Sequence, residues 1–221
     1  MDLDRIMDRL GTAKRQATHE IVADVLREAI TKGQLRGNDP LPQGEIAAQL
    51  KVSHIPVREA LRQLESEGLV TYQANRGATV TALSPAEIRE IYEIRAIVET
   101  AAVRQATPRL TADELVRAGD ILARAEKEGD GAVWGTLDVE FHLLVYDLDD
   151  RPRFRDLIEG LLRRVDRYWL SHGLMLKHRD TFDREHRALL DAIVARNGGL
   201  AAEVLDAHLV GACDLLIAEL D

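Results

Sequence analysis

Four side chains stand out for the chemistry they could share. In Asp138-Val-Glu-Phe-His142 a carboxylate and an imidazole are four positions apart, a spacing that puts both on one face of a helix about one turn apart. Such a pair can chelate an ion. His186 and His208 fall in two later helical stretches, so three inward-facing helices of a bundle could bring one carboxylate and three imidazoles to a point. That donor set suits Zn²⁺, Ni²⁺ or a similar divalent ion, and a coordination position left open suits sensing or catalysis. Taken one at a time, the same histidines read as structural or surface residues. A second group is basic and polar: Ser53, His54, Pro56 and Arg58 open one helical stretch, Arg62 follows a turn later, and Arg76-Gly77 occupies a loop between two strand-like runs.

The elements that must position these residues are mainly helical. Apolar periodicity is that of helices almost throughout the 221 residues, aromatic residues are only 4%, and alternation appears only near residues 69–82. Residues 1–16 read as a flexible leader. A first helix is expected from Ala17 to Lys32, with Gly33 as its stop. A short helix over Glu45–Leu50, a turn at Lys51-Val-Ser53 and a second helix over His54–Glu67 follow, with Ser53 placed to cap and Pro56 in the first turn. Two strands, 69–72 and 78–81, then form a hairpin. From residue 83 on, six helices are expected near 84–106, 111–128, 131–149, 152–172, 180–196 and 199–220. Ser84-Pro-Ala-Glu87 and Thr111-Ala-Asp-Glu114 are capping boxes that open the first two. The expected organisation is therefore a leader (1–16), a helix-turn-helix with a hairpin wing (17–82) and an all-helical bundle (83–221), joined by a linker short enough to pass motion from one domain to the other.

Charge separates the two domains. Residues 1–82 carry eleven basic and eleven acidic side chains, which leaves 18 and 27 for the remainder, so the net charge of −9 belongs to the second domain. An acidic bundle is repelled by phosphates, whereas a neutral N-terminal domain can still present a local Arg/Lys cluster to them. No run approaches the apolar length of a membrane span, and acidic Asp2, Asp4 and Asp8 stand where a signal peptide would be basic. A cytoplasmic protein without membrane contact is expected. The single cysteine, Cys213, lies on an apolar helical stretch and is given no role.

Two helices, a tight turn and a hairpin outline a winged helix-turn-helix, in which the second helix enters the major groove. The stretch from Glu45 to Val70, with its core Pro56-Val-Arg-Glu-Ala-Leu61 and its exit Glu67-Gly-Leu-Val70, resembles the DNA-binding signature of GntR-family regulators. The resemblance implies operator DNA as partner, with Ser53, His54, Pro56, Arg58, Arg62, Arg76 and Gly77 at the interface. Two positions depart from the family pattern: His54 and Gly44 stand where arginine is usual, so the operator sequence need not be the usual one.

In the second domain Asp138-Val-Glu-Phe-His142, Glu185-His186 and Ala207-His208 resemble the metal-binding motifs of the FCD effector domain of the FadR subfamily, in its shorter, VanR-like form with six helices. The resemblance implies a metal held by Asp138, His142, His186 and His208. Arg95-Ala-Ile-Val-Glu99 resembles the Arg-x₃-Glu pattern of the same domain. Two readings stand: a guanidinium that receives an effector carboxylate through two parallel hydrogen bonds, and an internal Arg95–Glu99 salt bridge. Arg163, Arg167, Tyr168 and Trp169 are further pocket candidates, while His19, His172 and His178 match no ligand position and read as surface residues.

Together these readings imply a homodimer on a palindromic operator, a small carboxylate effector bound at the metal and Arg95, and repression relieved by that effector, the commoner pattern in the resembling family. A regulator answering to the metal alone is the alternative. A DNA-tethered metal-dependent hydrolase is a further one, against which stands the lack of an adjacent general base, a nucleophile motif or a phosphate-binding glycine loop. The protein is not expected to be an enzyme.

Overall fold

The computed structural model describes residues 17–73, 77–171 and 173–220, and the expected leader, Arg76 and His172 lie outside them. The chain divides between Leu83 and Ser84 into two compact units.

The first unit opens with α1 (Thr18–Thr31), whose Val22, Val25, Leu26 and Ala29 bury one face at helical spacing. Next come α2 (Gln43–Leu50) and α3 (His54–Ser66). The chain leaves α2 through Lys51, at φ 54°, which reverses it within three residues. Val57, Ala60, Leu61 and Leu64 of α3 are fully buried beneath α1 and α2, so the opposite face of α3 must point outward. Strands β1 (Val70–Gln73) and β2 (Gly77–Val80) pair antiparallel in the register Val70 to Val80 and Tyr72 to Ala78. Following the Gly37–Pro40 turn that composition suggests, residues 38–41 lie along the outer edge of β2, with the Leu41 amide donating to Ala78 O at 2.8 Å and the Asn38 amide to Val80 O at 2.9 Å.

The second unit consists of α4 (Pro85–Ala106), α5 (Ala112–Ala125), α6 (Gly131–Val145), α7 (Pro152–Ser171), α8 (Leu174–Val194) and α9 (Gly198–Leu220). Both expected capping boxes form: Ser84 Oγ accepts from the Glu87 amide at 3.3 Å while Glu87 accepts from the Ser84 amide at 2.8 Å, and Thr111 and Glu114 repeat the exchange. Two boundaries differ from the sequence reading by four residues or more. α6 stops at Val145, four residues early, because the chain turns at Asp147, φ 49°. α8 starts at Leu174 and not near 180: Gly173 at φ 67° reverses the chain in one step, and buried Leu174 and Met175 anchor the new first turn. α9 packs along α4, and α6, α7 and α8 close the bundle around a polar centre. No helix among the described residues is long and apolar enough to cross a membrane.

Candidate nucleic-acid interface and metal centre

The outward face of α3 begins with Ser53, His54 and Ile55 and continues through Arg58 and Arg62, all exposed. Ser53 occupies the N-cap position, but its side chain makes no cap hydrogen bond. Counting from Ser53, the third helical residue is Pro56, which has no N–H to offer, so the usual reciprocal cap cannot form. The hydroxyl and the first amides of α3 are left pointing outward at the positive end of the helix dipole, an arrangement that favours phosphate. Among the described residues neither Arg58 nor Arg62 has an ion-pair partner. The His54 ring lies over Gly44: a Cβ there would stand 3.6 Å from its Cε1. The two departures from the family pattern are therefore neighbours in space. Ile55, 58% exposed, escaped the sequence reading; an apolar side chain at the head of this helix suits the methyl group of thymine. Gly77 begins β2 at φ 76° and is exposed.

In the second unit His142 of α6, His186 of α8 and His208 of α9 converge in the bundle core, with potential ligand atoms within 4.8 Å of one another. His142 Nε2 lies 3.2 Å from His186 Nε2, and Asp138 Oδ1 lies 3.3 Å from His186 Nε2 and 3.7 Å from His142 Nε2. Ligands each about 2.0–2.1 Å from one divalent ion stand roughly 3.0–3.5 Å apart, so Asp138, His142 and His186 come close to the spacing of a single ion, and His208, of the same donor type, lies within 4.8 Å of the other two imidazoles. The electrostatics agree. Burial, then the neighbouring imidazoles, holds His142 well below the usual histidine range, and burial does the same to His186, so both rings are neutral donors. Burial, with Asp166 nearby, pushes Asp138 up to about 8, as expected of a buried carboxylate lacking a cation. Glu185, adjacent to His186 in sequence, accepts from His208 Nδ1 at 2.7 Å. That bond leaves His208 Nε2 as the free donor, the role of a carboxylate behind a ligand imidazole.

Arg95 and Glu99 satisfy both readings at once. Arg95 Nε donates to Glu99 Oε1 at 2.7 Å, yet neither terminal nitrogen of the guanidinium makes a hydrogen bond among the described residues. Burial lowers the arginine's pKa, but the Glu99 carboxylate more than offsets this, so its charge is secure. Glu99 is fully buried and does not line the cavity; it serves Arg95 on one side and accepts from Tyr146 Oη at 2.6 Å on the other. Tyr146 in turn lies 3.0 Å from His142 Nδ1. A continuous chain, Arg95–Glu99–Tyr146–His142, thus joins the guanidinium to the imidazole cluster.

Arg95, Asp138, His142 and His208 line one small cavity of about 30 Å³, together with Asp166, Tyr92 and Trp169. Of the α7 candidates only Trp169 reaches it. Arg163 is exposed and pairs with Glu159, while Arg167, although buried, turns aside to Tyr168 Oη at 3.0 Å. His178 is not a surface residue: it is half-buried, edge-on to Trp169 and 3.3 Å from Glu219. Sequence reasoning missed Tyr146 and Asp166, and it quoted Glu185 in a motif without giving it a role. The signals were present, as Tyr146 is one turn beyond His142 and Asp166 interrupts the apolar face Leu162-Val165-Trp169. Cys213 is buried on α9, and burial pushes its thiol up.

Comparison with known proteins follows the same division. Residues 18–80 match the bacterial regulatory proteins of the gntR family, and residues 90–211 match the FCD domain. The chain is 34% identical to the gluconate operon transcriptional repressor of Bacillus licheniformis over 77% of its own length and 79% of that protein. It is 27% identical to the HTH-type transcriptional repressor RspR of Escherichia coli, covering 88% and 86%. To the Nta operon transcriptional regulator of Aminobacter aminovorans it is 33% identical, covering 59% of this chain and 63% of that protein. Among solved structures, a GntR transcriptional regulator from Rhodococcus sp. RHA1 superposes with a TM-score of 0.78 at 25% identity, over 92% of this chain and 99% of that one. E. coli McbR/YncC shares the fold at a TM-score of 0.77 and 23% identity, over 93% and 100%.

Proposed function

Because the chain belongs to the gntR family of DNA-binding transcription regulators and carries an FCD domain, we propose that it is a repressor whose hold on operator DNA is relieved by a small organic acid bound in the second unit. The observation that carries this reading is the half-used guanidinium of Arg95: its Nε is fixed by Glu99, its plane lies over the Tyr92 ring, and among the described residues its two outer nitrogens make no hydrogen bond, beside a cavity that also contains Asp138, His142 and His208. A planar fork held from behind is suited to a carboxylate.

Asp138, His142, His186 and His208 would hold a divalent ion, zinc or nickel by donor type, which when bound supplies a Lewis-acidic contact for an oxygen of the acid. The protein's own residues do the rest. Glu99 orients Arg95, Tyr146 and Glu185 orient His142 and His208, and the surrounding rings exclude water. A homodimer would set two α3 helices on the half-sites of a palindrome, about one DNA turn apart, with Ser53, His54, Arg58, Arg62 and the Arg76-Gly77 wing at the DNA. An acid that binds one arrangement of the dimer better than the other must weaken the operator complex by the same factor by which DNA weakens its own binding.

The deciding experiment is elemental analysis of protein purified without chelators, followed by operator titrations with and without carboxylic acids. About one ion per chain, absent from His142→Ala and His208→Ala, together with an acid-dependent loss of DNA affinity that Arg95→Ala abolishes, is the expected result. DNA affinity that no acid changes would overturn the sensing half and leave the DNA-binding half standing.

A further inference from the structure

Resting on that reading of Arg95 and the histidine cluster, we infer that the effector is an amino acid or a related amine-bearing acid, its carboxylate taken by Arg95 and the metal site and its ammonium by Asp166. Asp166 lines the same cavity as Arg95, one α7 turn from Trp169. Its carboxylate makes no hydrogen bond or ion pair among the described residues, whereas Arg95, the nearest candidate, is engaged by Glu99. Burial, with the charge of Glu99, pushes Asp166 up to about 7 against the attraction of Arg95 and Arg163, and a cation bonded to it would favour its charged form. The indole N–H on this wall is already used, since Trp169 Nε1 donates to Tyr92 Oη at 2.9 Å. What remains for a ligand is a carboxylate in a cavity that an indole also lines, a combination that attracts an ammonium group.

Charge bookkeeping points the same way. A divalent ion with Asp138 leaves one positive charge, Arg95 and Glu99 cancel, and Asp166 adds one negative charge, so the loaded cavity is neutral. A simple carboxylate would place an uncompensated negative charge beside Asp166 in a buried site, which is costly. A zwitterion adds none. The small cavity, about 30 Å³, favours a compact ligand over one with a long chain.

The test uses the zinc-loaded full chain and three matched sets of probes: glycine, glycolate and acetate; alanine, lactate and propionate; aspartate, malate and succinate. Thermal-shift titration finds the set that binds and calorimetry measures it. The amino member is expected to bind about 10–100-fold tighter than its hydroxy and unsubstituted partners, the difference made by one charge-assisted hydrogen bond. Asp166→Asn is expected to erase that preference while leaving the circular dichroism spectrum and zinc content unchanged. Hydroxy or unsubstituted acids that bind as well as the amino acid, in an Arg95-dependent way, would overturn the Asp166 assignment and spare the carboxylate reading. If no probe binds at millimolar concentration, both fall.

Discussion

The Tyr146 hydroxyl lies 3.0 Å from Nδ1 of His142, on the side of the ring facing away from Asp138 and His186. With its own proton given to Glu99 at 2.6 Å, the Tyr146 oxygen must accept, so His142 carries hydrogen at Nδ1 and presents a lone pair at Nε2. Tyr146→Phe removes this orientation without removing the ring. Metal affinity is expected to fall about 10–100-fold, read by competition with a chromogenic chelator. A tyrosine that only packs would lower the melting temperature and leave affinity alone.

Stability without metal should depend on pH in a particular direction. Asp138 and Asp166, pushed up to about 8 and 7, bind protons in the folded chain that the unfolded chain has already lost, so they favour folding at low pH and that contribution is lost as pH rises through 7 to 8. His142 and His186, held well below the usual range, act oppositely, but only below the ordinary histidine pKa. From pH 6.5 to 8.5 the carboxylates therefore prevail, and the metal-free protein should lose on the order of 2 kcal/mol in urea titrations. Loading with zinc should flatten the profile. A metal-free protein that gains stability over this range would contradict the assignment.

The extent to which the sequence disclosed this site follows from what each signal depends on. Helix caps and the α3 signature are local patterns, and Ser84, Thr111 and Arg58 are where those patterns place them. The convergence of His142, His186 and His208 was legible because each sits on the buried face of its own helix. Asp166 and Glu185 were not singled out, because their value comes from partners on other helices: a lone carboxylate has no period. Ser53 failed as a cap for a reason visible in the sequence, the imino nitrogen of Pro56, but overridden by the residue preference for serine.

On the DNA side, Arg58 and Gly44 should respond in opposite ways. Arg58 is exposed and has no ion-pair partner among the described residues, so Arg58→Ala is expected to leave stability within about 0.5 kcal/mol and to cost operator affinity about 1–3 kcal/mol. Gly44 lies within α2, and an added Cβ meets only the His54 ring at ordinary contact distance. Gly44→Ala should therefore stabilise the first unit by about 0.5–1 kcal/mol. Fluorescence anisotropy and chemical denaturation of both variants separate the effects; an Arg58→Ala protein that binds DNA normally would remove α3 from the interface.

The proposed dimer makes a prediction of its own. Ile97 of α4 and Val210 of α9 are 71% and 53% exposed, and they line one groove with Arg89 and Glu93 of α4 and Asp206 and Asp214 of α9. Apolar side chains flanked by both signs of charge can meet their own copy across a two-fold axis, arginine facing the acidic residues in each direction. A charge at the apolar centre would be buried without a partner in such an interface but stay solvated in the monomer. Ile97→Asp should thus leave the monomer's helix content intact and shift the light-scattering mass from two chains to one. Because two linked half-sites bind DNA far more tightly than either alone, operator affinity should drop with it. A dimer of unchanged mass in Ile97→Asp would move the interface elsewhere on the second unit, whereas loss of the dimer with full operator affinity would break the link between the two-fold axis and the palindrome.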